Sequence, residues 1–127
     1  MKKHIILLFI CSILACFSVA AANKQRYDDR GVALPPKVQA FLDKHFRNYK
    51  LLKVKIDRKD NECKIVLQKG YELELDFDGN WLEIECDFQP LPKSIIDLLP
   101  SGIINYIARN YPQRPIVEIK RKSYGYK

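Results

Sequence analysis

Between Leu51 and Cys86, apolar side chains occur at nearly every second position, and this alternation restricts the possible folds more than any other feature of the chain. Charged or polar residues fill the intervening positions, as in half-buried antiparallel strands. The pattern predicts a four-stranded meander over residues 51–86. The four apolar sets are Leu52, Val54 and Ile56; Cys63, Ile65 and Leu67; Tyr71, Leu73, Leu75 and Phe77; and Leu82, Ile84 and Cys86.

The turns between the runs predict the strand register. Asp78-Gly79 suits a two-residue type I′ turn, which would place Leu75 opposite Leu82. With a four-residue loop at 58–61 and a three-residue loop at 68–70, every apolar set falls on one face of the sheet. The register is therefore self-consistent.

The same register separates the two cysteines that lie within the meander. Cys63 and Cys86 share the apolar face but are two strands apart, a distance of about 9.5 Å, which is beyond the reach of a disulfide. We expect no disulfide and two buried, free thiols.

Helical periodicity flanks the meander. Pro36 suits a first helical turn, and the apolar spacing that follows predicts a helix from 36 to about 47. A second helical region follows Leu91-Pro92, where Pro100 should break it and Ser101 should cap the second segment. Another strand begins at Ile116. We therefore predict an α+β fold, a helix packed on a four-stranded antiparallel meander followed by a partial second copy of that unit.

The first 22 residues have the order of a secretory signal peptide, basic and then apolar, with small residues at Ser18, Ala20 and Ala22. We predict cleavage near Ala22 and a periplasmic or secreted product without a membrane span; acylation at Cys16, as in a lipoprotein, is the alternative. Residues 23–33 are polar and are expected to form a flexible leader. The formal net charge of +7, reduced by the loss of Lys2 and Lys3, does not indicate nucleic-acid binding.

An internal repeat relates the two helical regions. When Leu34-Pro35 is aligned with Leu99-Pro100, the apolar positions that follow coincide. The pairs are Val38 with Ile103, Phe41 with Tyr106, Leu42 with Ile107, Phe46 with Tyr111, Leu52 with Val117 and Val54 with Ile119. We expect a first unit at 34–90 and a truncated second unit at 91–127. Either the final strands of the second unit are missing, or the chain leaves an open sheet edge with which a partner or a second copy could pair.

The segment Phe77-Asp78-Gly79-Asn80-Trp81 is the most specific motif of the chain, and it is accompanied by Leu34-Pro35, His45-Phe46, Gly70-Tyr71-Glu72-Leu73, and Leu99-Pro100 through Tyr106-Ile107 and Asn110-Tyr111-Pro112. In these motifs, over residues 34–126, the chain resembles the PepSY-like, β-lactamase-inhibitor-like family of secreted bacterial proteins, which is common in the Bacteroidetes. The resemblance implies tandem helix-on-sheet units, and the family name points to protein–protein inhibition.

Five acidic residues should point away from the apolar face: Glu72, Glu74, Asp76, Glu83 and Glu85. The register places Glu72 opposite Glu85 and Glu74 opposite Glu83, and like charges in such positions are destabilising. Three interpretations stay open. The face is ordinary solvated surface relieved by Lys53, Lys55 and Lys64; it recognises a basic protein partner, with Trp81 as an exposed anchor; or its carboxylates gather divalent cations.

The residues give little support for catalysis. His45 has no second imidazole or metal-spaced cysteine pair after the N-terminal segment, and a packing or capping role is expected for it. Paired carboxylates suggest a small hydrolase as a further alternative, but a meander face predicts no cleft. We expect a non-catalytic binding module with no cofactor and no metal centre.

Overall fold

The computed structural model describes residues 24–122 and contains three α-helices, one short 3₁₀-helix (Gln68–Gly70) and a five-stranded sheet in that range. The sheet is antiparallel with strand order β1-β2-β3-β4-β5, so the predicted α+β fold is confirmed. The predicted signal peptide and its predicted cleavage site lie outside the described residues. The helices are α1 (Pro36–His45), α2 (Lys93–Ile96) and α3 (Ser101–Asn110); the strands are β1 (Leu51–Asp57), β2 (Glu62–Leu67), β3 (Tyr71–Asp76), β4 (Trp81–Cys86) and β5 (Glu118–Lys120).

Helix α1 covers one face of the sheet, which we call the inner face. Pro36 occupies its first turn, where the missing N–H would have had no partner. Val38, Leu42 and the following Phe46 are fully buried against the alternate apolar residues of the strands. Burial of this face holds the register, because a slip of one residue would expose every apolar side chain.

The predicted register holds through most of the meander. Val54 pairs with Ile65, and Ile65 pairs in turn with Leu73. At the β1 edge, however, a shift between Leu51 and Lys53 leaves Leu52 58% exposed, so its expected inward orientation is wrong.

The prediction of a two-residue turn at Asp78-Gly79 is also wrong. Gly79 N–H donates to the Asp76 carbonyl oxygen at 3.1 Å, and Asp76 N–H donates to that of Asn80 at 2.9 Å. This geometry is a three-residue loop in which Gly79 has φ 79°. The extra residue is absorbed by a β-bulge, so Leu75 pairs with Trp81 and not Leu82, while Glu74 pairs with Glu83 as predicted.

Residues 24–33, expected to be a flexible leader, are instead tied to α1. Arg26 N–H donates to Gln39 Oε1 at 2.9 Å, and the Arg26 guanidinium contacts Asp43 Oδ1 at 2.6 Å. Asp28 closes the following turn by accepting hydrogen bonds from the N–H groups of Arg30 and Val32. Polar contacts order this segment, and an argument from apolar burial alone could not anticipate them.

The second helical region is interrupted at Pro100, as predicted. Pro100 itself is the N-cap of α3, however, and Ser101 makes no capping hydrogen bond. No side chain of α3 is buried. Among the described residues, no helix has the length and apolar character needed to cross a membrane.

Both cysteines in the described part of the chain are buried and free, on β2 and β4. Burial raises the pKa of the Cys63 thiol to about 11. The thiol of Cys63 is therefore protonated and unreactive at neutral pH.

We predict opposite effects on stability for two glycine substitutions. Gly79→Ala should lower the free energy of unfolding by about 1–2 kcal/mol, because alanine is strained in the left-handed conformation. The loss should be larger still, because the new Cβ would lie 2.9 Å from the Lys37 carbonyl oxygen. Gly102→Ala in α3 meets open space and should stabilise by ~0.5–1 kcal/mol. Urea unfolding measures both, and an unchanged midpoint for Gly79→Ala would contradict this description of the turn.

Candidate functional site

The face of the sheet opposite α1, here called the outer face, carries two rows of cross-strand neighbours that run through all five strands. The first, named the carboxylate row, consists of Lys53, Val66, Glu72, Glu85 and Glu118. The second, named the paired row, consists of Lys55, Lys64, Glu74, Glu83 and Lys120. The two rows differ in how their charges are compensated.

Opposite charges meet within the paired row. Lys64 Nζ lies 3.4 Å from Glu74 Oε1, and Lys120 Nζ lies 2.9 Å from Glu83 Oε2. The hydrogen bond with Glu83 raises the pKa of Lys120 above its ordinary value. Both carboxylates of this row therefore have a cation of the same chain beside them.

Like charges meet in the carboxylate row. Glu72, Glu85 and Glu118 follow one another across three strands, and within residues 24–122 none of them forms an ion pair. A hydrogen bond with the facing Glu72 raises the pKa of Glu85 above its ordinary 4.5, and burial and the nearby carboxylates add to the effect. This row is the uncompensated part of the outer face.

The outer face is concave. A depression of about 380 Å³ lies between the lysines of β1 and β2 and the glutamates of β3 and β4. Val66, which is partly buried, places an apolar side chain between Lys53 and Glu72. The depression therefore has a basic side, an acidic side and an apolar residue between them.

Two of the predicted site residues are not available on this face. Trp81, expected to be an exposed anchor, is only 8% exposed and belongs to the inner-face core. The β-bulge at the start of β4 reverses its orientation, and the Arg121 guanidinium stacks over its ring at 4.3 Å. Asp76 closes the turn, because its carboxylate accepts hydrogen bonds from the backbone N–H groups of Asp78 and Asn80.

Of the remaining predicted residues, Glu72 and Glu85 lie in the carboxylate row, whereas Glu74 and Glu83 lie in the paired row. Sequence reasoning missed Glu118, which extends the carboxylate row onto β5. The repeat predicted a strand near this position, but nothing in the pattern indicated that it would pair with β4.

Among residues 24–122, one group of carboxylates is close enough together to hold a metal ion. Oxygens of Glu83, Glu85 and Glu118 lie within 4.8 Å of one another. Oxygen ligands suit hard cations such as Ca²⁺. The group lies on an open strand face, so water would have to complete the coordination of any bound ion.

His45 has the packing environment expected for it. Its ring lies 4.6 Å from that of Phe41, and Nδ1 is 2.9 Å from Ser94 Oγ. Partial burial, with a smaller contribution from Lys44, lowers the pKa of the imidazole. These contacts join α1 to α2.

A helix on an antiparallel meander, followed by two further helices and a strand, gives the chain an α+β fold. The family model described as "Putative beta-lactamase-inhibitor-like, PepSY-like" matches residues 26–78 and again residues 61–127. The chain belongs to this family, and the two matches are consistent with a repeated unit. No curated protein matches the sequence.

Solved structures from Bacteroides are similar to the chain. A "putative periplasmic protein" of the DUF2874 family from Bacteroides vulgatus is 31% identical, with a TM-score of 0.60 and coverage of 70% of this chain and 69% of that one. A "putative calcium-regulated periplasmic protein" from Bacteroides thetaiotaomicron is 27% identical, with a TM-score of 0.60 and coverage of 71% and 70%. A second B. vulgatus "putative periplasmic protein of unknown function" is 32% identical, with a TM-score of 0.58 and coverage of 70% and 71%.

Removal of one charge from the carboxylate row should stabilise the fold. Because the pKa of Glu85 is raised in the folded state, the folded protein binds more protons than the unfolded chain between 4.5 and that raised pKa, and stability falls as the pH rises through this window. Glu85→Gln should therefore raise stability at pH 7 by roughly 0.2–1 kcal/mol. Thermal unfolding at several pH values measures this gain, which should shrink as the pH falls below 4.5; a gain that is independent of pH would contradict it.

Proposed function

We propose that this protein is an exported, non-catalytic binding module that recognises a basic segment of a partner protein on the outer face of its sheet. The observation that carries the proposal is the carboxylate row, in which Glu72, Glu85 and Glu118 stand side by side without an ion pair in the described part of the chain. The inhibitor-like description of the family supports a role in protein–protein contact.

The electrostatics of the row favour a cationic ligand. Like charges directly opposite on neighbouring strands destabilise the sheet, and a lysine or arginine placed between Glu72 and Glu85 would remove that repulsion on binding. Val66 beside Glu72 offers apolar contact for the stem of a long basic side chain. Trp81 takes no part in this surface, because it is buried on the inner face.

The proposal includes export and a two-unit organisation. The signal-like order of residues 1–22 is the basis for export, and the periplasmic description of the similar Bacteroides proteins agrees with it. We divide the exported chain into units at 34–90 and 91–127, since α3 and β5 repeat the order of α1 and β1.

Binding of a defined basic probe tests the recognition surface. Fluorescence anisotropy of labelled hexalysine should show saturable binding that weakens as salt increases. Glu72→Gln with Glu85→Gln should lower the affinity on the order of tenfold. Glu74→Gln with Glu83→Gln is the matched control: it removes the same charge from the same strands, but from carboxylates that are already paired.

Two results would contradict the recognition surface. Equal losses of affinity in the two double variants would show that hexalysine responds to overall charge and not to the carboxylate row. Absence of saturable binding to the unsubstituted protein would remove the proposal entirely. If the expected difference is found, the same pair of variants can be used to identify a natural partner from envelope extract.

A second candidate function is cation binding at Glu83, Glu85 and Glu118, whose carboxylate oxygens approach within 4.8 Å. The similar protein from B. thetaiotaomicron is described as calcium-regulated. Open extracellular calcium sites bind with dissociation constants of roughly 10⁻⁴–10⁻³ M, so the effect is expected at millimolar calcium.

Calcium should raise the melting temperature if this candidate is correct, because a ligand of the folded state stabilises it. Scanning fluorimetry should compare CaCl₂ with MgCl₂ and NaCl at matched ionic strength. Glu85→Gln with Glu118→Gln should abolish the calcium shift, whereas Glu62→Gln, on the same face but outside the group, should retain it. Identical shifts of the melting temperature with all three salts would show that the effect is charge screening and not calcium binding.

A further inference from the structure

Strand β5 lies at one edge of the sheet that residues 24–122 form, and we call its unpaired side the free edge. Val117 and Arg121 direct backbone groups toward β4: the Val117 carbonyl oxygen accepts from Cys86 N–H, and Arg121 N–H donates to the Leu82 carbonyl oxygen, both at 2.9 Å. Because the direction of these groups alternates along a strand, Glu118 and Lys120 direct theirs away from β4. No strand within residues 24–122 pairs with this edge.

We propose that the β5 edge pairs with the β5 edge of a second copy, antiparallel, around a two-fold axis at Ile119. In three registers, outward backbone groups of Glu118 or Lys120 lie opposite outward backbone groups of the second copy, so that the two strands can form hydrogen bonds. Glu118 facing the partner's Glu118, or Lys120 facing the partner's Lys120, would oppose like charges. Only Glu118 facing the partner's Lys120 joins opposite charges, and the two-fold axis repeats that pair.

This register also supplies a cation to the carboxylate row. In a single copy, Lys120 contacts Glu83 within the paired row, whereas Glu118 adjoins only Glu85 on β4. Across the two-fold axis, Glu118 gains the partner's Lys120 as its direct neighbour. The charge pattern of the edge is therefore complementary to itself, as an isologous interface requires.

The opposite edge of the sheet is unsuited to the same role. Strand β1 carries Lys53 and Lys55, and exposed lysines are a common protection against edge pairing. Residues 28–30 lie beside the same strand and line a depression together with residues 53–56. Pairing of β5 with β1 would also be heterologous and would build open chains of molecules.

Exposed apolar surface is concentrated near the β5 end. Ile103 and Tyr111 of the α3 region are 46% and 47% exposed, although the equivalent residues of the first unit, Val38 and Phe46, are buried. An apolar groove of about 390 Å³ joins α3 to Ile116, immediately before β5. The free edge and this apolar surface therefore belong to the same end of the molecule, where a second copy would cover both.

Glu118→Lys distinguishes a role of Glu118 in dimerisation from an effect on the stability of a single copy. It removes a like charge beside Glu85, so the melting temperature of the monomer should rise. It also places a lysine opposite the partner's Lys120, and the two-fold axis repeats this repulsive pair. The dissociation constant of the dimer should therefore rise about tenfold. Light scattering coupled to size exclusion, and sedimentation equilibrium, measure mass as a function of concentration for the purified protein.

Glu118→Lys combined with Lys120→Glu exchanges the two charges and should restore dimerisation. Lys55→Glu on the opposite edge is the control and should leave the dissociation constant unchanged. A monomer at every concentration, or failure of the double exchange to restore association, would overturn the proposal. The readout is mass and not partner binding, so either result leaves the recognition surface to its own test.

Discussion

Burial of the inner face under α1 is the constraint on which the rest of this structure depends. Strand side chains alternate between two faces, so once Val38, Leu42 and Phe46 cover one face, the identity of every residue on the other face is determined. The outer face is therefore a consequence of the core. Its charges cannot change their neighbours without a register shift that would expose apolar side chains to water.

The backbone pairing fixes which charges of the outer face are neighbours. A flexible surface separates like charges by moving its side chains, but Glu72 and Glu85 are held opposite each other by the backbone pairing of β3 and β4. Their side chains have limited room to diverge, and the raised pKa of Glu85 follows from that proximity. One row of the face satisfies its carboxylates internally and the adjacent row does not, so the uncompensated charge is localised.

The sequence determines the inner face more clearly than the site. Period-two alternation was sufficient to predict the pairs of Ile65 and Leu73 and the opposition of Glu72 and Glu85, because each depends on register alone. Trp81 was misplaced because one extra loop residue, recovered by a bulge, reverses a single position. Glu118 was missed because the pairing of β5 with β4 joins segments far apart in the chain, and no local pattern encodes such a contact.

A second copy and a basic partner would meet different parts of the carboxylate row. The partner's Lys120 would reach Glu118 at the free edge, but adjacent strands are about 4.8 Å apart, so Glu85 and Glu72 lie one and two strands further in. Coulomb attraction across that distance is weak where water has access. Dimerisation would therefore neutralise the edge and leave the Glu72–Glu85 pair exposed to a ligand, and the two proposed contacts are compatible on one face.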